Sequence, residues 1–463
     1  MTKILHTFHT ITEANGQLYS KIEKMFASLP HGQDCISKDA KGYTIHKVGL
    51  LWLEGQIHFV LPRCQRNLVE KAQQTHDSNT KSLMFQHIRM LRKYHHDCQQ
   101  GIRKRKSSEA YLHYIGDSSN RDMEHNPLHY LEVAYELWHD YEINGLWLHS
   151  ENTRTTEHIG TIDWQRSLHF GMPLVSKGQI LFREIHRNRN SRSRTHPLTE
   201  LHLYTLAEIA RNIFQTNIQY SYRDFGEQEI RQVLHMYDTK LFQDRSVKIH
   251  RWLCEYYLKE GRPRWEQQSQ NFGWVVRHCY LWEWMLGSVL GLEVIGASEE
   301  IFSSQYSVSG DSLRDWTKNL RSNLDKRHFI PDIWYNCFYK DNTIQGIIDA
   351  KDYDIVEGHL PGSESISKQI VYKYALLSWI QSTNTEQTCK NSTVFNIFAF
   401  PLEIDAKFHV EAIHRLQYDI DHISTIMYVC CNYEWVVQAY LQNKQEVQVL
   451  LDLQQQYRVS TMA

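Results

Sequence analysis

The chain has 463 residues, with 51 Lys and Arg against 53 Asp and Glu, and a formal net charge of −2. That length predicts about two or three domains, and the near-neutral charge excludes a protein that coats nucleic acid by bulk charge. With 41% hydrophobic and 22% charged residues, the composition favours packed cores over global disorder.

The sequence also argues against a membrane protein and against a disulfide-stabilised protein. No apolar run approaches the ~20 residues that a membrane span needs, and the N-terminal residues lack the apolar core of a signal peptide. The nine cysteines are irregularly spaced, without a CxxC pair, which is typical of reduced thiols and not of a disulfide frame or a zinc site. We therefore expect a cytoplasmic protein that does not associate with membranes.

The first predicted elements are a hairpin and two helices. Two β-favouring runs within Gly42–Pro62 flank Glu54-Gly55 and predict a β-hairpin. Apolar residues at helical spacing predict helices over 81–99 and 127–143. The polar stretch His186–His196 is predicted to be an exposed loop or linker.

The second half of the chain changes from helices to an alternation of helices and strands. The helical period returns from Pro197, and short apolar runs with turns follow Phe329. A helix is then predicted over 365–381 and a strand over 393–400. The order helix, strand, strand, helix, strand indicates an α/β or α+β core.

Two short motifs within that core have residues suited to phosphodiester cleavage, namely Pro331-Asp332 and Asp349-Ala350-Lys351. Carboxylates on adjacent strands supply the hard oxygen ligands that Mg²⁺ prefers, and a bound metal polarises the phosphate and activates water. Strand alternation places Asp349 and Lys351 on one face, where the lysine can stabilise developing negative charge. Turn residues at Asp341-Asn342 predict a hairpin that brings Asp332 next to Asp349.

The triplet Asp-Ala-Lys by itself is a weak signal, because it occurs three times, at 39–41, 349–351 and 405–407. Only the copy at 349 follows a Pro-Asp one hairpin upstream and an apolar strand, Ile344–Ile348. Only that copy is followed by a helix that carries Lys368, Gln369 and Tyr372. The alternative interpretation is a surface strand that ends in a charged turn.

These segments resemble a known family. PDIWY, GIIDAKDY and LPGSESISKQIVYKYAL are similar to the nuclease core of the PD-(D/E)XK superfamily, and more narrowly to the LlaJI-type restriction endonucleases, which are related to the nuclease subunit of the McrBC system. DYEINGLW at 140–147, HIGTIDWQRSL at 158–168 and KVGLLWLEGQIHFVLP resemble that family's N-terminal blocks. The resemblance follows the chain in order.

The resemblance implies a metal site and a catalytic lysine. Asp332 and Asp349 would bind Mg²⁺, with Mn²⁺ as a substitute, and the carbonyl oxygen of Ala350 would be a further ligand. Lys351 matches the catalytic lysine of the family.

The resemblance also implies functional residues on two helices. Many members carry an acidic residue on the helix before the first catalytic strand, and Glu283 is the best candidate, because a charge amid Trp282 and Trp284 is costly without a partner. The alternative is a Glu on a helix surface. Gln369 and Tyr372 match positions on the following helix that often face the active site or DNA.

Two basic patches could follow a phosphate backbone. One is Arg103-Lys104-Arg105-Lys106; the other consists of Arg187, Arg189, Arg192 and Arg194. The alternative for each is a solvated loop.

We therefore predict an α+β protein with an N-terminal mixed α/β adaptor domain over 1–195. A helical region and a PD-(D/E)XK nuclease core, a mixed sheet flanked by helices, would follow over 196–463. The predicted function is Mg²⁺-dependent endonucleolytic cleavage of double-stranded DNA in a restriction or anti-phage defence system.

The resemblance further implies an AAA+ NTPase partner, a GTPase in McrBC-type systems. The chain itself contains no Gly-Lys dipeptide and hence no GxxxxGK[ST] phosphate loop, so any energy-dependent step would come from another protein. Two alternatives stay open: a stand-alone type II restriction endonuclease, and a non-catalytic adaptor with a degenerate nuclease fold.

Overall fold

The fold is that of a computed structural model, in which the chain divides into two compact units. The larger unit combines Thr2–Ser119 with Gln267–Ala463, and the smaller unit contains Asn120–Glu266. The predicted division into functional domains at residue 195 stays a prediction. The structure describes residues 3–6, 10–11, 19–20, 36–39, 42–53, 56–74, 78–99, 113–115, 127–156, 160–177, 179–193, 195–214, 218, 222–237, 244–258, 272–290, 332–339, 342–353, 355, 358–383, 394–414 and 425–462.

The first part of the larger unit contains the predicted hairpin and the first predicted helix. Its elements are β1 (Lys3–His6), β2 (Thr10–Ile11), β3 (Ile36–Asp39), β4 (Gly42–Ile45), β5 (Val48–Leu53), β6 (Gln56–Leu61), α1 (Arg66–Gln74), α2 (Ser78–Gln99) and β7 (His113–Ile115). β5 and β6 pair antiparallel with Leu53 opposite Gln56, which confirms the hairpin, although its predicted turn lies outside the described residues. α2 confirms the helix over 81–99.

The smaller unit combines helices with two small sheets, of which the one formed by β8, β9 and β12 is polar. Its elements are α3 (Pro127–Asn144), β8 (His149–Thr155), β9 (Thr161–Ile162), α4 (Trp164–Phe170), β10 (Pro173–Ser176), β11 (Gln179–Phe182), β12 (Arg187–Ser193), α5 (Pro197–Ile209), α6 (Glu227–Tyr237) and α7 (Asp244–Leu258). α3 confirms the helix over 127–143. It ends at Gly145, whose φ of 70° is favourable for glycine and whose N–H donates to the Tyr141 carbonyl at 2.8 Å.

The prediction of a loop over His186–His196 was wrong. Residues Arg187–Ser193 form β12, which pairs antiparallel with the whole of β8 and with β9. Both long strands are polar, so they lack the apolar alternation by which a strand is recognised. Main-chain hydrogen bonds nevertheless join them, and composition alone does not distinguish such a strand from a loop.

The second part of the larger unit contains the predicted nuclease segment. Its elements are β13 (Phe272–Val276), α8 (His278–Val289), β14 (Ile333–Tyr339), β15 (Asn342–Ala350), α9 (Ser363–Thr383), β16 (Phe395–Leu402), β17 (Phe408–His414), β18 (Ile426–Asn432), α10 (Tyr433–Leu441) and α11 (Gln448–Met462). The order α8, β14, β15, α9, β16 confirms the predicted order of helices and strands. The fold is mixed α/β.

Two five-stranded sheets organise the larger unit. The first has the order β1-β6-β5-β13-β7, and β13 pairs antiparallel with β5, so both parts of the discontinuous unit contribute to it. The second has the order β14-β15-β16-β18-β17. Its inner strands β15, β16 and β18 run parallel, whereas β14 and β17 pair antiparallel at the edges.

The second sheet is buried beneath α9. The runs FNIFAF of β16 and IMYVCC of β18 are apolar almost throughout, as expected of parallel strands that are covered on both faces. Ile366 and Ile370 of α9 pack against an aromatic cluster that includes Phe398 and Phe400. Because β15, β16 and β18 are parallel, their carboxyl ends lie at one edge of the sheet, where open α/β sheets usually bind ligands.

None of the helices in the described parts of the chain has the length and apolarity needed to cross a membrane.

Candidate active site

The two predicted metal-binding carboxylates meet where β14 begins and β15 ends. Ile333 lies opposite Ile348 in the antiparallel pair, so the next positions outward are Asp332 and Asp349. Their carboxyl groups are hydrogen-bonded to each other, and Oδ2 of Asp332 accepts the N–H of Ala350 at 3.0 Å. The hairpin thus brings the two side chains together, as predicted.

Lys351 lies beside Asp349 at the same sheet edge. Its Nζ is 2.5 Å from Oδ2 of Asp349 and 5.7 Å from the centroid of the Phe398 ring. Burial acts to lower the pKa of Lys351, but the carboxylates of Asp349 and Asp332 outweigh burial and raise the pKa. The side chain therefore remains a cation.

Glu283 reaches this cluster from α8. It is only 7% exposed and lies between the buried Trp282 and Trp284, so the alternative of a surface Glu is wrong. Its charge helps to raise the pKa of Asp332. One turn earlier, burial raises the pKa of the Cys279 thiol to about 12, and the charge of Glu283 adds to that effect.

Asp332 is the electrostatic centre of the cluster. The residue keeps some exposed surface, but its carboxyl group is enclosed, and burial is the main cause that raises its pKa well above the ordinary value. The charges of Glu283 and Asp349 raise that pKa further, while Lys351 opposes them. The cluster thus concentrates more negative charge than one lysine balances.

A divalent cation fits this set of donors. The cation would relieve the repulsion among the carboxylates, and oxygen atoms are the ligands that Mg²⁺ prefers. Among the described residues, no group of three or more His, Cys, Asp or Glu side chains is arranged to hold a metal ion. Mg²⁺ does not need such a cage, because it is usually bound by one or two carboxylates and keeps several waters. Asp332, Asp349 and the carbonyl of Ala350 offer oxygen atoms of this kind, and metal binding by them stays a prediction.

Gln369 and Tyr372 lie on the inner face of α9. Gln369 is fully buried, and its Nε2 donates to the Ile397 carbonyl of β16 at 3.1 Å. Tyr372 belongs to an apolar cluster with Ile347. These contacts fix α9 on the sheet, and a role of Gln369 in catalysis stays a prediction.

Sequence reasoning missed one partly buried polar pair next to the site. Nδ1 of His278, at the start of α8, lies 2.6 Å from Oδ1 of Asp352, directly after Lys351. The two residues are 74 positions apart, so no local pattern connects them. The only signal in the sequence was Asp352 itself, a charged residue that directly follows the Asp-Ala-Lys triplet and for which the sequence suggested no role.

The two basic patches and the other triplets remain without an active-site role. The patch Arg103–Lys106 and residue Arg194 lie outside the described residues. Arg187 donates to the Gly160 carbonyl at 3.1 Å, and Arg189 and Arg192 belong to β12, so contact of this patch with DNA stays a prediction. In the triplet at 405–407, Nζ of Lys407 lies 2.9 Å from Glu446.

Comparison with known proteins gives one family match. A sequence model of the LlaJI restriction endonuclease family matches residues 47–432. No curated protein matches the chain significantly. A solved structure of Thermococcus gammatolerans McrB AAA+ hexamers with bound McrC contains a similar chain that is 12% identical, with a TM-score of 0.33 over 96% of this chain and 100% of the other. A TM-score at that level supports no inference about this chain.

Proposed function

Because the chain belongs to the LlaJI restriction endonuclease family, we propose that it is a Mg²⁺-dependent DNA endonuclease of a restriction or anti-phage defence system. The observation that carries the proposal is the cluster of Asp332, Asp349, Lys351 and Glu283 at one sheet edge. We assign this sheet and its flanking helices to a PD-(D/E)XK nuclease core.

In the proposed mechanism Asp332, Asp349 and the Ala350 carbonyl would hold Mg²⁺, or Mn²⁺ in its place, and Glu283 would add negative charge beside Asp332. The bound metal would supply Lewis acidity toward the phosphate and lower the pKa of bound water. Lys351 stabilises the negative charge that develops on the phosphate, because its raised pKa keeps it protonated. Asp332 would bind the cation as a carboxylate, and its proton would pass to solvent.

Two features of the chain favour these roles over a purely structural cluster. Glu283 and Asp349 are both largely buried, and burying several carboxylates together is costly unless they bind something. The single lysine at the cluster already pairs with Asp349 at 2.5 Å. A divalent cation would balance the remaining charge.

We also propose that the chain acts on double-stranded DNA with an AAA+ NTPase partner. The smaller unit offers a surface for such a partner, formed by α4, β10 and β11, which we call the α4–β11 surface. Eight large apolar residues on this surface are each more than half exposed to solvent, namely Trp164, Leu168, Phe170, Met172, Leu174, Val175, Ile180 and Leu181. Exposed apolar residues grouped in this way typically mark a protein interaction site.

The test is cleavage of supercoiled plasmid by the full chain, with Mg²⁺ or with EDTA. Each reaction is run with and without an AAA+ NTPase encoded beside this chain and a hydrolysable nucleotide. We expect strong cleavage only when Mg²⁺, the partner and the nucleotide are all present.

The two alternatives predict other outcomes. Efficient, site-specific cleavage by the isolated chain with Mg²⁺ and no nucleotide would favour a stand-alone type II enzyme. A chain that neither binds Mn²⁺ nor cuts DNA in any combination would be a non-catalytic adaptor, and the proposed function would be wrong.

A further inference from the structure

The pair of His278, which is buried, and Asp352, which is partly exposed, joins the two elements that carry the candidate site. His278 is the first residue of α8 and is 1% exposed. Its Nδ1 lies 2.6 Å from Oδ1 of Asp352, the residue that follows Lys351. The pair therefore connects the helix that carries Glu283 to the end of the strand that carries Asp349.

A second contact one helical turn later acts on the same strand end. Nε1 of Trp282 donates to the Ala399 carbonyl at 3.2 Å, and that carbonyl also accepts the N–H of Lys351 at 2.9 Å. Residues four apart lie on one face of a helix, so His278 and Trp282 present two polar contacts from the same side of α8. The chain at the end of β15 is thus held through the side chain of Asp352 and through the backbone N–H of Lys351.

The hydrogen bonding of the His278 ring is unusual for a residue that only packs in a core. Because the Asp352 carboxylate accepts, the proton of the His278 ring lies on Nδ1. Nε2 of His278 is buried and has no hydrogen-bond partner among the described residues, although the ring packs 5.5 Å from the ring of Tyr433. An apolar residue would fill this place without leaving a buried polar atom unpaired, so the contact to Asp352 is what the histidine contributes.

We propose that His278 and Asp352 form a positioning pair for the metal site. The hydrogen bond fixes the end of β15 against α8, so that Glu283 and the Asp349–Lys351 segment keep the spacing that a bound cation requires. This inference rests on the proposed function. Hydrogen-bonded groups that orient metal ligands typically change metal affinity by about 10- to 100-fold when they are removed, and this pair would act in the same way through the segment that follows Asp349.

The experiment measures Mn²⁺ binding to the full chain by the loss of the free Mn²⁺ electron paramagnetic resonance signal. His278→Ala and Asp352→Ala should each weaken Mn²⁺ binding by about 10-fold, and the double variant should be no weaker than either one. His278→Asn carries an amide donor close to the position of Nδ1 and should restore affinity to within about twofold of the wild type.

A matched control separates positioning from general destabilisation. Tyr457→Phe removes two other buried hydrogen bonds of the larger unit, from the hydroxyl to the Thr425 carbonyl at 2.7 Å and from Nζ of Lys373 to the hydroxyl at 2.8 Å. It should lower thermal stability and leave Mn²⁺ affinity unchanged. If His278→Ala does not fold, Asp352→Ala and His278→Asn carry the test, because Asp352 keeps some solvent exposure.

Two results would overturn the inference, and they are distinguishable. Wild-type Mn²⁺ affinity in folded His278→Ala and Asp352→Ala proteins would make the pair structural, and the proposed function would stand. A wild-type chain that binds no Mn²⁺ would remove the proposed function and this inference together.

Discussion

The larger unit buries charged side chains, whereas the smaller unit exposes large apolar ones. Among the described residues, every buried Asp, Glu or Lys belongs to the larger unit, namely Lys47, Asp97, Glu283, Asp349 and Lys373. In the smaller unit, Met172 and Val175 are 72% and 75% exposed. Each arrangement is unfavourable for an isolated folded chain, because it opposes the usual partition of charge and apolar surface.

The difference shows where each unit depends on something outside itself. Buried carboxylates that repel one another gain stability from a cation, and an exposed apolar surface gains stability from another protein. Under the proposed function, the site for chemistry lies on the larger unit and the site for assembly lies on the smaller unit. The predictions below test that assignment.

The largest effect is expected at the sheet edge of the larger unit. Asp349→Ala and Lys351→Ala should each lower the rate of plasmid cleavage by about 100-fold or more, because each removes charge at the reacting phosphate. Circular dichroism should show folded proteins. DNA binding, measured by fluorescence anisotropy, should change little.

The third Asp-Ala-Lys triplet is the matched control for that prediction. Asp405→Ala and Lys407→Ala alter the same residue types in the same unit, where Lys407 pairs with Glu446. Their cleavage rates should stay near the wild-type rate. Wild-type cleavage by Asp349→Ala, with the partner supplied, would contradict the nuclease assignment.

The geometry of the acidic pair was predictable because it is local. A hairpin and strand alternation are enough to bring Asp332 to Asp349 and to place Lys351 on the same face. From the sequence, Glu283 could be identified only as a charge between two tryptophans that would be costly to bury without a partner. Its approach to Asp332 depends on how α8 packs, which no local pattern reveals.

Local patterns do not predict contacts between residues far apart in sequence, and they do not predict a strand with a polar sequence. β13 joins β5 across nearly half the chain, so the larger unit is discontinuous in sequence. The contact between His278 and Asp352 depends on the same kind of packing. β12 lacks apolar alternation, and its identity as a strand follows only from its pairing with β8.

The next largest effect is expected at the α4–β11 surface of the smaller unit. Val175→Asp and Leu181→Asp should weaken binding to the AAA+ partner by about 30-fold, or about 2 kcal/mol, if these residues lie at the centre of the interface. Pull-down and calorimetry with the purified partner measure the loss. Mn²⁺ binding by the variants should match the wild type.

Val247→Asp provides the control within the same unit. Val247 lies on α7 and is also exposed, but it is outside the α4–β11 surface. Its substitution should leave partner binding unchanged. Equal losses in all three variants would indicate a general effect of added negative charge and not a docking surface.

A smaller effect is expected on the stability of the metal-free protein. In the metal-free protein the raised pKa of Asp332 means that folding requires this carboxyl group to take up a proton, which costs stability at neutral pH. Asp332→Asn removes that cost and keeps an oxygen to accept the Ala350 N–H. It should raise the free energy of unfolding without metal by about 1 to 2 kcal/mol. Mn²⁺ should stabilise the wild type and not the variant, since only the wild type binds the ion.

Thermal unfolding with EDTA and with Mn²⁺ measures both effects. Asp405→Asn, at an exposed position, should change neither. A metal-free Asp332→Asn protein that is less stable than the wild type would show that the cluster is held together by attraction and needs no cation.

The smallest effect is expected at a pair of buried histidines, one in each unit. Burial lowers the pKa of His202 in the smaller unit to about 3, with Arg245 adding to burial and Asp140 opposing it. Burial also lowers the pKa of His87 in the larger unit to about 3, with the hydrogen bond to Gly49 opposing it and His278 adding to it. Below the ordinary value of 6.5 the unfolded chain binds protons that the native state does not, so stability falls as the pH falls from 6.5 toward 3.

Substituting one histidine at a time tests whether the two units unfold separately. At pH 6 each histidine should cost about 1 kcal/mol relative to its contribution at pH 7.5. His202→Leu should remove that loss from the smaller unit, where neither ring nitrogen has a hydrogen-bond partner among the described residues, and His87→Leu should remove it from the larger unit. Calorimetry at the two pH values should show each variant shifting a different transition. A single transition that both variants shift equally would mean that the two units unfold together, and that the contrast between them is one of surface and not of stability.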